Sequence, residues 1–320
     1  MNLLKFLLRR PYWFLRFQLP VIVGSWKNRW KKWLRHNRHR LSTLSRQAKK
    51  RAVMRLFREC HGYEFDFRNP RTLNEKIAVR KLSDDPRIPI LADKFAVREY
   101  VRKTVGEEYL VPLLFEGMTF TEEDFRKLPR QCVIKTTNAC GTNILIFDKE
   151  KEDAKEIVRQ VRQMQKMKFG YLAMELFYNR IPPRVIVEKL LTDADGEVPK
   201  DYKFHCFPNA DGGRGKCFIQ VISGRFGVQS QNFYNENWEL YPFRRTTYPA
   251  DPTAVRQPEK FLEMLEVARK LAGDWPYIRV DLYNTVDRIY FGEMTFTPGA
   301  ATGKFDPPEW DAFWGKEWLT

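Results

Sequence analysis

The first 58 residues contain no aspartate or glutamate, although they carry 17 lysines and arginines. That absence concentrates the net charge of +16 in an N-terminal arm, because from Glu59 onward 39 bases stand against 40 acids. The basic isoelectric point therefore describes the arm and does not mark the body as a polyanion binder. Cysteines are also few. Cys60, Cys132, Cys140, Cys206 and Cys217 are odd in number and form no C-x-x-C pair, which argues against a disulfide framework or a cysteine zinc site and for reduced, cytosolic thiols. No uninterrupted apolar run reaches the roughly 20 residues that span a bilayer, since the best N-terminal stretch is cut by Arg16 and Pro20. No apolar segment is followed by a small-residue cleavage site, so a cleavable signal peptide is not expected. A Ser-His-Asp or Cys-His signature is missing too, which leaves no evident protein nucleophile.

What is present begins with the arm. Leu3, Leu4, Phe6, Leu7 and Leu8 are mixed with Lys5, Arg9 and Arg10, followed by Tyr12, Trp13, Phe14 and Phe17, an interfacial composition. From Ser25 the spacing of Trp26, Trp30, Trp33, Leu41, Leu44, Ala48, Ala52 and Leu56 is that of a helix whose other faces are lysine and arginine. Three readings stay open at this level: an anionic membrane surface, a stripe packed on the body, and nucleic acid bound through phosphates. No RNA-reading motif accompanies the charge.

At 320 residues and 43% hydrophobic, the chain can bury a core of two or three lobes. Thr72 and Glu75 fit a capping box opening a helix to about Leu82. The run "PILADKFAVREYVRKTVGEE" from Pro89 reads as a second amphipathic helix ending near Gly106, and Tyr109 to Phe115 as a strand. Further strands are expected at 132–135, 144–147, 185–191, 202–207 and 217–223. Helices are expected over 121–129, 152–168 and 258–272, and the chain should end in a β-hairpin and a proline-rich tail. The class is α+β with many antiparallel strands.

Two stretches carry candidate chemistry. In "VIKTTNACGTNILIF", residues 133–147, a strand ends in Lys135, passes eight small or polar residues including Gly141, and resumes at Ile144. Such a loop is either an ordinary turn or a flap of backbone N–H groups over an anion, with the lysine beneath. In "YIRVDLYNTVDRIYFGEMTFT", residues 277–297, strand alternation puts Ile278, Val280, Leu282, Tyr290, Met294 and Phe296 on one side and Arg279, Asp281, Glu293 and Thr295 on the other. Bringing those sets together needs Arg279 roughly opposite Glu293 and an odd-numbered loop. Two carboxylates on one face call for a cation between them, Mg²⁺ being suited to oxygen ligands, or else pair with arginine on a solvated face.

Together these stretches resemble the ATP-grasp superfamily over roughly residues 70–310. "ADKFAVREYV" looks like the segment bringing the first nucleotide lysine, Lys94, and "VIKTTNACGTN" like the second, Lys135, with its phosphate flap. "VIVEKLL" is similar to the adenine hinge, and "RVDLY…YFGEMTFTPG" to the metal hairpin. "LNEKI", "DYKFHCF" and "GEMTFTPG" resemble the branch associated with teichuronopeptide and capsular polysaccharide synthesis, called TupA-like. Many members carry Asn two residues after the metal Glu; this chain has Thr295.

The resemblance implies an ATP-grasp fold, two α+β lobes clasping ATP, with the basic amphipathic helical arm in front. The divisions expected are an arm at 1–58, a helical linker lobe at 59–118, a small lobe at 119–190 and a large lobe with the metal hairpin at 191–320. It implies ATP and one or two Mg²⁺ as cofactors. Lys94, Lys135, Thr136, Asn138, Gly141, Thr142, Glu188, Lys189, Leu191 and Asp201 would bind nucleotide. Asp281, Glu293 and Thr295 would bind metal, and Arg279 and Lys203 would act in catalysis. The implied reaction joins a carboxylate to an amine through an acyl phosphate, with an amino acid or other amine and a uronic-acid glycan as partners. The implied location is the cytoplasm, at the inner face of the cell membrane, held by residues 1–58 on an anionic surface, with no specific nucleic acid. Two rivals remain: a kinase that stops at the phosphorylated product, and a non-catalytic nucleotide- or nucleic-acid-binding protein.

Overall fold

The computed structural model describes residues 45–193, 196–208, 215–224 and 229–319. The expected Trp26, Trp30, Trp33, Leu41 and Leu44 stripe lies outside them. Contacts group the chain into two units. One takes residues 45–63 together with Pro112–Leu190, and the other takes Glu64–Val111 together with the described residues from Leu191 onward.

In the first unit, helix α1 (Arg46–His61) starts at Ser45, whose hydroxyl accepts from the Ala48 N–H at 3.2 Å, and ends at Gly62 in the left-handed region. Ala52, Val53, Leu56 and Phe57 are buried. Arg51, Arg55 and Arg58 stay exposed. A four-stranded antiparallel sheet follows, in the order β1 (Leu113–Gly117), β4 (Val185–Lys189), β2 (Cys132–Thr136), β3 (Asn143–Ile146). One face carries Cys132, Ile134, Ile146, Val185 and Val187, which form one cluster with Phe125 of a short helix and Ile157, Val158 and Val161 of the helix Ala154–Gln165. The opposite face carries Val133 and Lys135, and beside them Ile186 and Glu188.

In the second unit, the capping box opens the helix Leu73–Arg80: the Glu75 N–H donates to the Thr72 hydroxyl at 3.2 Å and the Thr72 N–H to the Glu75 carboxylate at 3.3 Å. The helix expected from Pro89 to about Gly106 is two, Arg87–Ala92 and Val97–Thr104. They part because the Asp93 carboxylate takes the N–H groups of Phe95 and Ala96, at 2.8 and 3.3 Å, and so caps a new start. Lys94 falls in that break rather than on a helix. The strand expected at Tyr109 begins only at Leu113, after a short 3₁₀ turn.

The main sheet of this unit is five-stranded and antiparallel, in the order β10 (Ile289–Thr295), β9 (Ile278–Asn284), β5 (Asp201–Phe207), β6 (Lys216–Ser223), β7 (Ser230–Tyr234). Its apolar face, with Phe204, Val280 and Leu282, packs on the helix Phe261–Ala272. The other face divides in two. Phe207, Phe218, Phe233 and Tyr277 gather around Trp314 from the helix Glu309–Glu317, which stands where only a proline-rich tail was expected. Beyond them come Lys203, Arg279, Asp281, Glu293 and Thr295.

The β9–β10 hairpin differs from expectation in an informative way. Its connection is even, residues 285–288, with Asn284 opposite Ile289 and Leu282 opposite Phe291. Continued unbroken, that register would turn Glu293 toward the apolar helix. A bulge at Gly292 shifts it by one, so Asp281 pairs with Glu293, Val280 with Met294 and Arg279 with Thr295. Tyr290, expected on the apolar side, pairs with Tyr283 on the other, and Phe291 takes the buried position. Glycine fits here because a Cβ would stand 3.1 Å from the Asp281 carbonyl oxygen and 3.1 Å from the Tyr283 ring.

Candidate active site

Cross-strand pairing assembles the charged group on the five-stranded sheet. Gln220, Lys203, Asp281 and Glu293 form one row across β6, β5, β9 and β10, and His205, Arg279 and Thr295 belong to the next. Directly opposite residues project to the same side about 5 Å apart. The Arg279 Nη2 donates to Asp281 Oδ2 at 2.9 Å, Glu293 Oε1 at 2.7 Å and Thr295 Oγ1 at 2.9 Å, and its Nε to Asp281 Oδ1 at 2.6 Å. Lys203 also pairs with Asp281. The Thr295 hydroxyl donates to Glu293 at 2.8 Å. Thus three hard oxygen donors from two strands converge on one cationic nitrogen.

The electrostatics follow. Burial pushes the Asp281 carboxyl up, against the pull of Arg279 and Lys203. Burial acts in the same sense on Glu293, but Arg279, Lys203 and Lys94 outweigh it and hold that carboxyl at about 2. Lys94 therefore lies within electrostatic reach of Glu293, which its place in the helix break allows. Burial lowers Lys203, but Asp281, Asp201 and Glu293 more than offset it, so Lys203 stays a cation. Asp201 is itself buried, one alternation before Lys203.

These donors fit Mg²⁺. They are two carboxylates and a hydroxyl, oxygen throughout, already spaced around a cation. Among the described residues no cluster of three or more His, Cys, Asp or Glu forms a metal cage. A hard ion on two carboxylates draws its remaining ligands from water or phosphate, as Mg²⁺ commonly does.

In the first unit, Lys135 Nζ lies 2.5 Å from Glu188 Oε2, and both side chains are mostly buried. The loop after Lys135 is held by its own side chains. The Thr136 and Thr142 hydroxyls meet at 2.9 Å, Thr137 donates to the Pro182 carbonyl at 2.6 Å, and the Asn138 amide donates to the carbonyls of Gln165 and Met167, both at 3.1 Å. Only the tip turns outward, with Gly141 exposed at φ +70°. The side chains of Thr136, Asn138 and Thr142 thus shape the loop from within. Lys189 is exposed at the end of β4, and Leu191 lies two residues beyond it.

Of the sequence-derived site residues, Lys203, Arg279, Asp281, Glu293 and Thr295 form one hydrogen-bonded group with Lys94 in reach, and Lys135 joins Glu188. Sequence reasoning missed Gln220, Gln231 and Tyr277, which line the polar face next to His205. The available signal was a lone Gln220 in the apolar run "CFIQVI".

A family model described as TupA-like ATPgrasp matches residues 75–319. Among curated proteins none matches. Among solved structures, the chain is similar to D-alanine–D-alanine ligase from Bacillus anthracis complexed with ATP, at 16% identity and a TM-score of 0.38, over 66% of this chain and 55% of that one. It is similar to N5-carboxyaminoimidazole synthetase from Staphylococcus aureus at 14% identity and a TM-score of 0.38, over 64% and 44%. D-Alanine–D-alanine ligase from Helicobacter pylori matches at 12% identity and a TM-score of 0.38, over 72% and 62%. The chain spans only 44 to 62% of the length of these structures, and at such scores no residue role passes from them to it.

Proposed function

Because the chain belongs to the TupA-like ATP-grasp family, we propose that it is an ATP-dependent ligase that joins a carboxylate to an amine. The single observation that carries this reading is the convergence of Asp281, Glu293 and Thr295 oxygens on one cationic point, 2.7 to 2.9 Å from Arg279 Nη2. In the first half-reaction a substrate carboxylate oxygen attacks the γ-phosphorus, the bond to the β–γ bridging oxygen breaks, and ADP leaves with that electron pair. In the second, the amine nitrogen attacks the acyl carbon, phosphate departs, and the nitrogen loses a proton.

Neither half-reaction needs a protein nucleophile. Both need charge neutralisation and alignment. Asp281, Glu293 and Thr295 would hold Mg²⁺, which when bound would supply neutralisation of the phosphates. Lys94 and Lys135 are assigned to the nucleotide phosphates, and the backbone of the 136–143 loop is assigned to cover them. Arg279 and Lys203 are assigned to the charge that develops on the transferred phosphoryl and acyl oxygens. Glu188, Lys189 and Leu191 are assigned to the base of the nucleotide, and Asp201 to its sugar.

By the branch to which the family model belongs, the acceptor proposed is a uronic-acid glycan and the amine an amino acid, or the reverse pairing. An anionic membrane surface is proposed as the partner of residues 1–58. Helix α1 buries its apolar side, so what it offers such a surface is its row of Arg51, Arg55 and Arg58.

The test is ADP release by purified protein with panels of amino acids and uronic acids, with and without Mg²⁺. Release that depends on Mg²⁺, a carboxylate and an amine together supports the ligase. Full release with no amine present would replace it with a kinase, and no release under any combination would remove both.

A further inference from the structure

His205 sits on the seam between the aromatic and the charged halves of the five-stranded sheet. It is fully buried, opposite Arg279 on β9 and one alternation from Lys203 on its own strand. Its ring lies edge-on to Trp314, with centroids 4.9 Å apart. None of this is used by the reaction outlined above, yet a buried imidazole among cations needs a reason.

A chain of hydrogen bonds gives one. Gln231 places its Nε2 at 2.6 Å from the Arg245 carbonyl and 2.9 Å from the Tyr248 carbonyl. Carbonyls only accept, so that nitrogen must be the donor and the Gln231 amide has one orientation. Its Oε1 then accepts from Gln220 Nε2 at 2.7 Å. Gln220 is thereby oriented as well, and its Oε1 faces His205 Nε2 at 3.3 Å, which must carry the proton. In the neutral ring His205 Nδ1 is then the acceptor, 2.8 Å from the Tyr277 hydroxyl, which donates. Two main-chain carbonyls thus dictate the direction of each bond as far as His205 Nε2.

The charged groups around His205 are Lys203 on β5, Arg279 on β9 and Arg245 on β8 (Arg244–Arg245). A proton on Nδ1 would add another positive charge beside Lys203 and Arg279, and it would leave Tyr277 to turn its hydroxyl away. We infer that Gln231, Gln220 and His205 are positioning residues: their one-way chain presents a neutral imidazole beside Arg279 and Lys203, so that both cations stay on Asp281 and Glu293. The inference rests on the proposed function for its catalytic meaning, but its geometry is testable without it.

The experiment uses the full-length protein labelled with ¹⁵N in histidine and arginine, with the His205 signal assigned by its loss in His205→Gln. Wild type should show a neutral imidazole protonated on Nε2 from about pH 5 to 8, and an Arg279 Nε–H that exchanges slowly. Gln220→Glu removes the donor to Gln231 and sets a carboxylate against the ring. It should give an imidazolium at neutral pH and an Arg279 Nε–H that exchanges fast. ADP release should then fall on the order of 10²-fold in kcat, with a smaller change in KM for ATP, as misplacement of groups around a reacting centre produces. His205→Ala should show the same kcat loss, and His205→Gln, which keeps an uncharged donor toward Gln220, should recover most of it. A wild-type proton on Nδ1, a charged His205 that leaves Arg279 exchange unchanged, or a His205→Gln variant no better than His205→Ala would each overturn the inference. If the wild type releases no ADP, the proposed function fails, and the two NMR signatures still decide the positioning claim.

Discussion

Two lysine–carboxylate pairs of matching burial stand in the two sheets. Lys135 meets Glu188 across β2 and β4, and Lys203 meets Asp281 across β5 and β9, each lysine with 15% of its side chain exposed. In the second sheet Asp281 also takes the Arg279 guanidinium through both of its oxygens. Asp281 therefore keeps a cation if its lysine is removed, and that cation also reaches Glu293 and Thr295. What the second sheet displays is a network: charge is shared among Lys203, Arg279, Asp281 and Glu293, whose formal charges cancel. A neutral group of that kind can exchange one cation for another without leaving a buried carboxylate bare.

The sharpest way to break the comparison is to remove a carboxylate from the second group. Glu293→Gln should reduce ADP release on the order of 10³-fold, measured at saturating ATP, with an unchanged circular dichroism spectrum. Next come the lysines. Lys135→Met should cost about 3 kcal/mol in urea unfolding, the lower end for breaking a buried pair. Lys203→Met should cost less than about 3 kcal/mol, because Arg279 stays on both Asp281 oxygens, and a loss of the full buried-pair cost would contradict the shared-charge reading. In Lys135→Met/Glu188→Gln much of the stability should return without activity.

Gly292→Ala tests what builds the second group. Its Cβ would press on the Asp281 carbonyl and the Tyr283 ring at 3.1 Å. The expected cost is about 1 to 3 kcal/mol, with weakened metal binding read by Mn²⁺ paramagnetic resonance. The smallest effect concerns Lys94. Glu293 is held at about 2 by Arg279, Lys203 and Lys94 against its burial, while an unfolded glutamate titrates near 4.3. A depressed folded pKa stabilises above the unfolded value, and that stability is lost as pH falls toward about 2. Lys94→Met should raise the Glu293 pKa and lower stability at neutral pH, with the difference from wild type shrinking as pH falls below about 4.3 and vanishing once Glu293 is protonated in both.

Much of this was legible in the sequence where one local rule decides. Thr72 and Glu75 satisfy each other three residues apart, and period-two alternation sorted Arg279, Asp281, Glu293 and Thr295 onto one face. Tyr290 went to the wrong face because alternation assumes an unbroken ladder, and a bulge at one glycine reverses everything before it. The break at Asp93 was hidden because its neighbours keep helical spacing, and only the side chain's capture of two N–H groups ends the turn. The hydrogen-bond chain through His205 could not be read at all. It joins β5, β6, β7 and the carbonyls of Arg245 and Tyr248, and residue spacing holds no record of such pairings.

The central claim is that Asp281, Glu293 and Thr295 form a cation site that serves a nucleotide. It is tested most directly by Mn²⁺ paramagnetic resonance on full-length protein with a non-hydrolysable ATP analogue. Wild type should bind Mn²⁺ together with the analogue, and Asp281→Asn and Glu293→Gln should lose that bound ion. Mn²⁺ binding that survives both substitutions, or no Mn²⁺ bound by wild type with the analogue present, would contradict the claim.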